Sequence, residues 1–438
     1  MHPRRLLVAA LVLLGLLAVP GHAAAPGLQE TARTQLSARL LELTMTTPAL
    51  GKPVKVRVLL PAGYRTSTKR YPVLYLFNGG GGSYLDWTAQ GDAERLTAKA
   101  DVLVVMPDGG QGGNYTNWYG KDGAGFTPQW ETFHITQLLP WVDSHFRTIA
   151  RRDQRIVAGL SMGGNGALHY AARHPDLFAG VASFSGANDT LNPVFRPITE
   201  TTEISNGALP GSVFGPSATQ ELRWREFNPV DLADNLRGLW VSLSFGNGQP
   251  GGPDGNNSDV IEQAVYDANV ALHARLVESK VPHVYNSYGA GAHNWYYWSR
   301  DLRQNLPLML QVFAQHRTIP TTVTHWAADP SYRAYGWRVS ITRPVREISR
   351  LVNACSHGFA LRGTGTAVVT TPPSYQPGRV ITVRTTDVRG TRTHTVRVGS
   401  DHRIRVAVDL GAPNSFQQYT AGAKLTGTVV REAHVVIS

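Results

Sequence analysis

A serine in a glycine-rich setting is the first residue of this sequence that could do chemistry. The motif GLSMG occupies residues 159–163, with Ser161 at its centre. An apolar run at residues 156–160 precedes it and a helical pattern begins near Asn165, which predicts the strand–turn–helix arrangement of a nucleophile elbow. A serine exposed on such a turn can attack a carbonyl carbon, so the motif predicts acyl-transfer chemistry through Ser161. The alternative is a Gly/Ser turn without chemistry.

A serine nucleophile of this type needs an acid and then a histidine later in the chain. His293 lies in the loop GAGAHNW, directly after the strand-like residues 283–288, where the last strand of a sheet would deliver an imidazole. We therefore predict that His293 is the base. The acid stays open among four residues that follow the apolar run 239–245: Asp254, Asp259, Glu262 and Asp267.

The third requirement is a pair of N–H groups for the oxyanion. The run NGGGG at residues 78–82 follows a predicted buried strand, and its glycines let backbone N–H groups approach a developing negative charge. The N–H of Met162, the residue after the nucleophile, supplies the other donor. A nucleotide phosphate loop is the rival interpretation. It is disfavoured because no GK[ST] follows the glycines and no GxGxxG with a downstream ribose-binding acid is present.

The elements that would position these residues alternate between strand and helix up to about residue 315. Short apolar runs bounded by Gly, Pro or Asp are typical of strands buried on both faces of a parallel sheet. The predicted strands are residues 54–59, 73–77, 102–106, 156–160, 181–184 and 239–245, and the predicted helices are residues 130–146, 165–174 and 259–279. This alternation predicts an α/β fold with a mainly parallel sheet flanked by helices.

The C-terminal part of the chain differs in both charge and pattern. Residues 321–438 hold 15 Lys and Arg against 6 Asp and Glu, a net +9, whereas residues 24–320 carry 25 of each. Runs of β type at residues 379–383, 395–398 and 404–408 predict a small all-β sandwich-like domain. We therefore predict a catalytic domain at residues 24–318 and a basic β-rich domain at residues 319–438. Because every candidate catalytic residue precedes Pro320, this second domain is expected to be dispensable for turnover of a small ester.

The first residues predict a secretory signal peptide, residues 1–23. Arg4 and Arg5 precede an apolar run at residues 6–19, Pro20 breaks the run, and small residues stand at the −3 and −1 positions of a cleavage site after Ala23. The mature protein is therefore expected to be secreted, without a transmembrane segment and with possible cell-wall association. An uncleaved anchor is the alternative.

Composition excludes several classes of protein. With 42% hydrophobic and 17% charged residues, the chain has the material for a core and lacks the signature of disorder. Its single cysteine, Cys355, excludes an intramolecular disulfide framework and a structural cysteine-based zinc site. No nucleic-acid recognition motif is visible. We expect no metal, no other cofactor and no nucleic-acid partner.

Several ordered motifs of residues 36–315 resemble those of the esterase D and antigen 85 group of α/β-hydrolases. The motifs are MPDGGQ at 106–111, NWY at 117–119, WETF at 130–133, GLSM at 159–162, FGPS at 214–217, GNG at 246–248 and HNWYYW at 293–298. The resemblance implies an α/β-hydrolase fold, with Ser161 as nucleophile and His293 as base. It further implies Glu262 as the triad acid and Gly80 as the second oxyanion donor. Asp254 is the alternative acid if Glu262 does not serve.

The sequence also departs from the antigen 85 mycolyltransferases. These have an aspartate where Asn78 stands and an arginine where Gly81 stands, both serving the trehalose acceptor. The resemblance therefore implies acyl-enzyme chemistry but disfavours trehalose mycolyl transfer. We expect Asn78 and Gly81 at the substrate pocket, with Trp118, Trp224 and Trp295 as candidate walls and residues 189–228 as its cap.

The sequence thus predicts a secreted serine esterase that hydrolyses carboxylic esters. One alternative is an acyltransferase of the antigen 85 type that moves an acyl chain to a sugar or other alcohol. Another is a non-catalytic wall-binding protein. The arginines of the C-terminal domain, including Arg403 and Arg405, are expected to face an anionic cell-wall polymer or to form a solvated surface.

Overall fold

The computed structural model describes residues 27–205 and 207–438. The predicted signal peptide lies outside the described residues. No helix in the described part of the chain combines the length and the apolar character needed to cross a membrane.

A nine-stranded mixed sheet forms the first two thirds of the molecule. Its strands are β1 (Gln29–Gln35), β2 (Leu40–Thr46), β3 (Val54–Leu59), β4 (Val73–Phe77), β5 (Leu103–Pro107), β6 (Arg155–Leu160), β7 (Gly180–Phe184), β8 (Trp240–Phe245) and β9 (Val284–Ser287). Their order in the sheet is β1-β2-β3-β5-β4-β6-β7-β8-β9. β1 pairs antiparallel with β2, β2 with β3, and β3 with β5. The six strands β4 to β9 are parallel to one another.

Helices cover both faces of this sheet. They are α1 (Asp86–Ala89), α2 (Ala93–Leu96), α3 (Leu139–His145) preceded by a π-helical segment (Thr132–Leu138), α4 (Met162–Arg173), α5 (Phe195–Ser205), α6 (Ser217–Glu226), α7 (Val260–Glu278) and α8 (Trp295–Gln315). The alternation of side chains along β4 builds two cores: Val73 and Phe77 enter one, and Leu74 and Leu76 enter the other. The predicted α/β-hydrolase architecture is confirmed.

Two antiparallel sheets form the C-terminal β-region, residues 323–438. The strands are β10 (Val323–Ala327), β11 (Ser331–Ala334), β12 (Trp337–Thr342), β13 (Ser349–Cys355), β14 (Gly358–Gly363), β15 (Thr366–Thr370), β16 (Val380–Asp387), β17 (Gly390–Arg397), β18 (Arg405–Asp409) and β19 (Arg431–Ile437), with one short helix, α9 (Ala421–Thr426). Six strands form one sheet and four the other. Trp337 of the smaller sheet contacts Phe359 of the larger one, with ring centroids 5.7 Å apart.

Many arginines of this region form ion pairs or hydrogen bonds with other residues of the same region. Arg389, Arg392 and Arg405 pair with Asp409, Asp387 and Asp401 at 2.5, 2.6 and 2.5 Å. Arg403 precedes β18 and donates to the carbonyls of Gly336 and Thr371. These contacts lend no support to an anionic wall partner, which stays a prediction.

The C-terminal β-region packs closely against the catalytic part of the chain. Buried Leu232 and Leu236 belong to the same apolar core as Val323 and Trp326 of β10. The side chain of Asn235 exchanges two hydrogen bonds with the backbone of Trp326, both 2.9 Å long. These contacts favour a structural role for the C-terminal β-region, against the expectation that it is dispensable for turnover.

Candidate active site

Ser161 stands on a tight turn between β6 and α4, at the edge where the parallel strands end. Its backbone has φ 52° and ψ −120°, a conformation that few non-glycine residues adopt. Gly159 and Gly163 allow this turn because, without side chains, they let neighbouring backbone atoms approach closely. A Cβ on Gly159 would lie 2.3 Å from the carbonyl oxygen of Gly163, and a Cβ on Gly163 would lie 2.5 Å from that of Asn78. The side chain of Ser161 thus projects beyond the sheet into the cleft.

A continuous chain of hydrogen bonds joins Ser161, His293 and Glu262. His293 Nε2 lies 2.8 Å from Ser161 Oγ, and His293 Nδ1 lies 2.7 Å from Glu262 Oε2. The carboxylate orients the ring, so that Nε2 can accept the serine proton. Residues that are 132 and 31 positions apart meet here because β6, α7 and the loop after β9 share one edge of the sheet.

The carboxylate of Glu262 is held by two further donors. Its side chain is fully buried, and its Oε1 atom accepts the Ser185 hydroxyl at 2.8 Å and the Gly246 N–H at 2.7 Å. The two donors hold one oxygen and leave the other oxygen for the imidazole. Glu262 is therefore fixed in direction.

The other three acid candidates make different contacts. Asp259 caps the start of α7, and it also accepts the His293 N–H at 2.8 Å. Burial opposes its ionisation, but the donated N–H groups of His293, Glu262 and Ile261 lower the pKa of Asp259 overall. Asp254 accepts from Asn294 and from the Tyr297 hydroxyl, at 2.8 and 2.6 Å. Asp267 is exposed on α7. Of the four, only Glu262 contacts the His293 ring.

The two expected oxyanion donors are neighbours. Met162 is the first residue of α4, so its N–H has no partner within the helix. A Cβ on Gly80 would lie 4.0 Å from Met162 Cβ, and one on Gly79 would lie 3.3 Å from Ser161 Cβ. No hydrogen bond among the described residues uses the N–H of Gly80. The loop after β4 and the start of α4 can therefore offer two N–H groups beside Ser161.

A second buried carboxylic acid lies behind Glu262. Asp301, on α8, is fully buried, and its Oδ2 atom has no hydrogen-bond partner among the described residues. Burial raises the pKa of Asp301 to about 7, opposed by Arg300 at 3.0 Å and reinforced by the charge of Glu262. Asp301 has no solvent exposure, and its link to the site is its electrostatic interaction with Glu262.

A cavity of about 700 Å³ opens above Ser161 and His293. The expected residues Gly80, Gly81, Met162 and Trp295 line it. Its other walls come from the loop of residues 111–114 and from the segment 187–214, which contributes Thr190, Phe195, Ile198 and Phe214. The segment 189–228 therefore does cap the cavity, chiefly through α5.

Three expected pocket residues do not line the cavity. Asn78 is buried, and its amide accepts from the Gly109 N–H and donates to the Gly79 carbonyl. Trp118 is buried and donates to the Gly113 carbonyl. Trp224 is fully buried behind Phe214, with ring centroids 4.8 Å apart. Each indole or amide finds its partner inside the protein, so these side chains support the wall and do not form it. No pattern in the sequence indicates Phe195 or Ile198 as lining residues, because they lie in a helix of mainly polar residues.

An α/β-hydrolase sheet with this serine at its edge defines a hydrolase or acyltransferase, and comparison with known proteins agrees. The chain matches the model of the Esterase family over residues 47–309, more than half of its length. It therefore belongs to the Esterase family, and its resemblance to the antigen 85 group is confirmed.

Two relatives and one solved structure illustrate this similarity. Esterase Rv1288 of Mycobacterium tuberculosis (strain ATCC 25618 / H37Rv) is 38% identical over 268 residues, covering 59% of this chain and 56% of the relative. The present chain thus spans about half the length of that relative. Diacylglycerol acyltransferase/mycolyltransferase Ag85C of Mycobacterium avium is 30% identical over 338 residues, covering 72% and 89%. The structure of MPT51 of Mycobacterium tuberculosis superposes with a TM-score of 0.51 at 22% identity, covering 63% and 100%, which supports the fold alone.

Proposed function

We propose that this protein is a serine carboxylic ester hydrolase that works through an acyl-enzyme. The observation that carries the proposal is the hydrogen-bond chain from Ser161 Oγ through His293 to Glu262, with both links under 3 Å. Membership of the Esterase family supports the reaction class. No step of this mechanism requires a cofactor.

The proposed reaction has two halves. His293 takes the Ser161 proton as Oγ attacks the ester carbonyl, and the N–H groups of Gly80 and Met162 stabilise the oxyanion. Glu262 stabilises the imidazolium, which then gives its proton to the leaving alkoxide. A water molecule, deprotonated by the same imidazole, attacks the acyl-enzyme. The bond from the carbonyl carbon to Ser161 Oγ then breaks, the imidazolium returns its proton to Oγ, and the acid is released.

Acyl transfer to an alcohol is the second candidate. The similarity to a diacylglycerol acyltransferase/mycolyltransferase over 72% of the chain favours it. Asn78 and Gly81 favour hydrolysis, because they replace the two acceptor-binding residues of the mycolyltransferases. The sequence of residues 1–23 supports export of the enzyme, which we include in the proposal.

The test is a series of p-nitrophenyl esters of increasing acyl length, assayed with and without a sugar acceptor. Ser161→Ala and His293→Ala should each lower kcat by about 10⁴-fold, because triad residues act as a unit. Ser331→Ala, on the exposed edge of β11, is the matched control and should leave kcat unchanged. Acylated sugar in excess of free acid would establish transfer in place of hydrolysis. More than a few per cent of activity in the Ser161 variant would remove Ser161 as the nucleophile.

A further inference from the structure

Five charged residues form a partly buried ion network where the C-terminal β-region meets the catalytic part of the chain. Arg346 donates to Glu226 Oε2 at 2.5 Å and to Asp329 Oδ1 at 2.7 Å. The other oxygen of Asp329 accepts Arg173 at 2.9 Å, and Arg173 pairs with Glu131 at 3.0 Å. We call these residues, Glu131, Arg173, Glu226, Asp329 and Arg346, the ion network. Two of the five, Asp329 and Arg346, belong to the C-terminal β-region.

Arg346 supplies the nearest countercharge of Glu226. Glu226 is 1% exposed, and its Oε1 atom has no hydrogen-bond partner among the described residues. Burial raises the pKa of Glu226, and Arg346 is the strongest influence that lowers it again. Without Arg346, the buried carboxylate would keep only Arg173 and the more distant Arg223, which lies 3.9 Å from Glu226 Oε1, and this loss is unfavourable.

Glu226 is also the last residue of α6, and α6 supports two residues of the ester cavity. Trp224 packs against Phe214, which lines the cavity, and its Nε1 donates to the Gly215 carbonyl at 3.0 Å. The carbonyl of Trp224 accepts the hydroxyl of Thr190, another lining residue, at 2.8 Å. A displacement of α6 would therefore move the cap of the cavity directly.

The C-terminal β-region contacts α6 at two further points. Gln417 donates to the Thr219 carbonyl at 3.2 Å, and Tyr419 lies under the Arg225 guanidinium, 4.6 Å from the ring centroid. The same network reaches α4, because Arg173 is the last residue of the helix whose first residue is Met162. Residues that follow Pro320 therefore hold both α6, which supports the cap of the cavity, and α4, which carries the proposed oxyanion donor Met162.

We propose that Arg346 and Asp329 are positioning residues for substrate binding, and that the C-terminal β-region acts as a brace for the cap of the ester cavity. The proposal rests on the proposed esterase function, since it assigns the cavity to the ester. A brace of this kind sets the affinity for substrate more than the rate of the chemical step, because Ser161, His293 and Glu262 lie outside the network.

The test compares Arg346→Gln with Arg350→Gln. The control residue Arg350 also reaches across from the C-terminal β-region, but it pairs with Asp234, which is outside α6 and keeps a second arginine partner, Arg237. We expect Arg346→Gln to raise KM for a p-nitrophenyl ester by about tenfold or more, with a smaller change in kcat. Arg350→Gln should leave both within about twofold.

A double variant separates positioning from simple stability. Glu226→Gln with Arg346→Gln removes both charges and keeps two side chains that can hydrogen-bond, so it should fold and return KM to near its original value. This variant decides the question even if Arg346→Gln alone does not fold. Recovery of the melting temperature without recovery of KM would overturn the proposal, as would equal kinetics for Arg346→Gln and Arg350→Gln.

Amide hydrogen exchange gives a readout that does not need turnover. Peptides of α5 and α6 should exchange faster in Arg346→Gln than in Arg350→Gln or the parent protein, because the cap has lost its support. Equal exchange in all three proteins would contradict the brace. Failure of the parent protein to hydrolyse any ester would instead overturn the proposed function and leave this exchange result to judge the brace.

Discussion

Removing the charge of Glu262 while keeping its shape should separate the roles of the triad. In Glu262→Gln the amide can still accept from Ser185 and Gly246 on one side. On the other side an NH₂ group would face His293 Nδ1, so the ring would lose its acceptor and the imidazolium its countercharge. The comparable change in a serine protease triad costs about 10⁴-fold in kcat, or roughly 5 kcal/mol of transition-state stabilisation. We expect a loss of this size.

Asp254→Asn is the matched control for this experiment. Asp254 accepts hydrogen bonds from Asn294 and Tyr297, which follow His293 in the sequence, but it makes no hydrogen bond to the imidazole. Its loss should lower kcat by no more than about tenfold. The assay is the initial rate of nitrophenyl ester hydrolysis from pH 5 to 9, with circular dichroism to verify folding. The reasoning fails if Glu262→Gln keeps a tenth of the activity, or if Asp254→Asn loses as much as Glu262→Gln.

Three further predictions follow from close packing, burial and the C-terminal β-region. Gly163→Ala places a Cβ 2.5 Å from the carbonyl oxygen of Asn78, so it should displace the glycine-rich loop of residues 78–82 and lower kcat/KM for the same esters by about tenfold or more. Unchanged kinetics would contradict this close packing. Because burial raises the pKa of Asp301, the folded protein binds this proton more tightly than the unfolded chain does, so the free energy of unfolding should fall by up to about 4 kcal/mol as pH rises from about 4 to 7. Thermal melts of Asp301→Asn should show a flatter dependence on pH. Parallel pH profiles for the two proteins would refute this. Deleting residues 321–438 should lower both the melting temperature and ester turnover, because the deletion exposes the core around Leu232 and removes two residues of the ion network. A fully active truncated enzyme would show that the region is dispensable.

Local patterns predicted much of the fold because they report on local physics. The strand predicted at residues 54–59 has the observed bounds of β3, since alternation of apolar and polar residues specifies a half-buried strand. The strand–turn–helix around Ser161 follows from residues within a span of twenty. Glu262, in contrast, is predicted only by the family resemblance, because spacing alone leaves four acids open.

The remaining features depend on contacts between distant residues. Residue type made Trp224 a reasonable wall of the pocket, but the wall is Phe214, and Trp224 lies behind it. Nothing in the composition of the basic C-terminal region indicated that Arg346 would pair with Glu226, 120 positions earlier. Net charge describes a region as a whole, whereas the role of each arginine is decided by the acid it meets after folding.

The backbone at Ser161 has a consequence for the evolution of this chain. Its left-handed φ of 52° costs an L-amino acid about 1–3 kcal/mol, which glycine would not incur. A glycine at this position would relieve that strain and abolish the proposed nucleophile in the same step. Mutation toward greater stability and selection for catalysis therefore act in opposite directions at residue 161. Where the serine is encoded by AGC or AGT, one nucleotide change produces glycine. Selection for the proposed activity must then act against a variant whose backbone is less strained but which lacks the nucleophile.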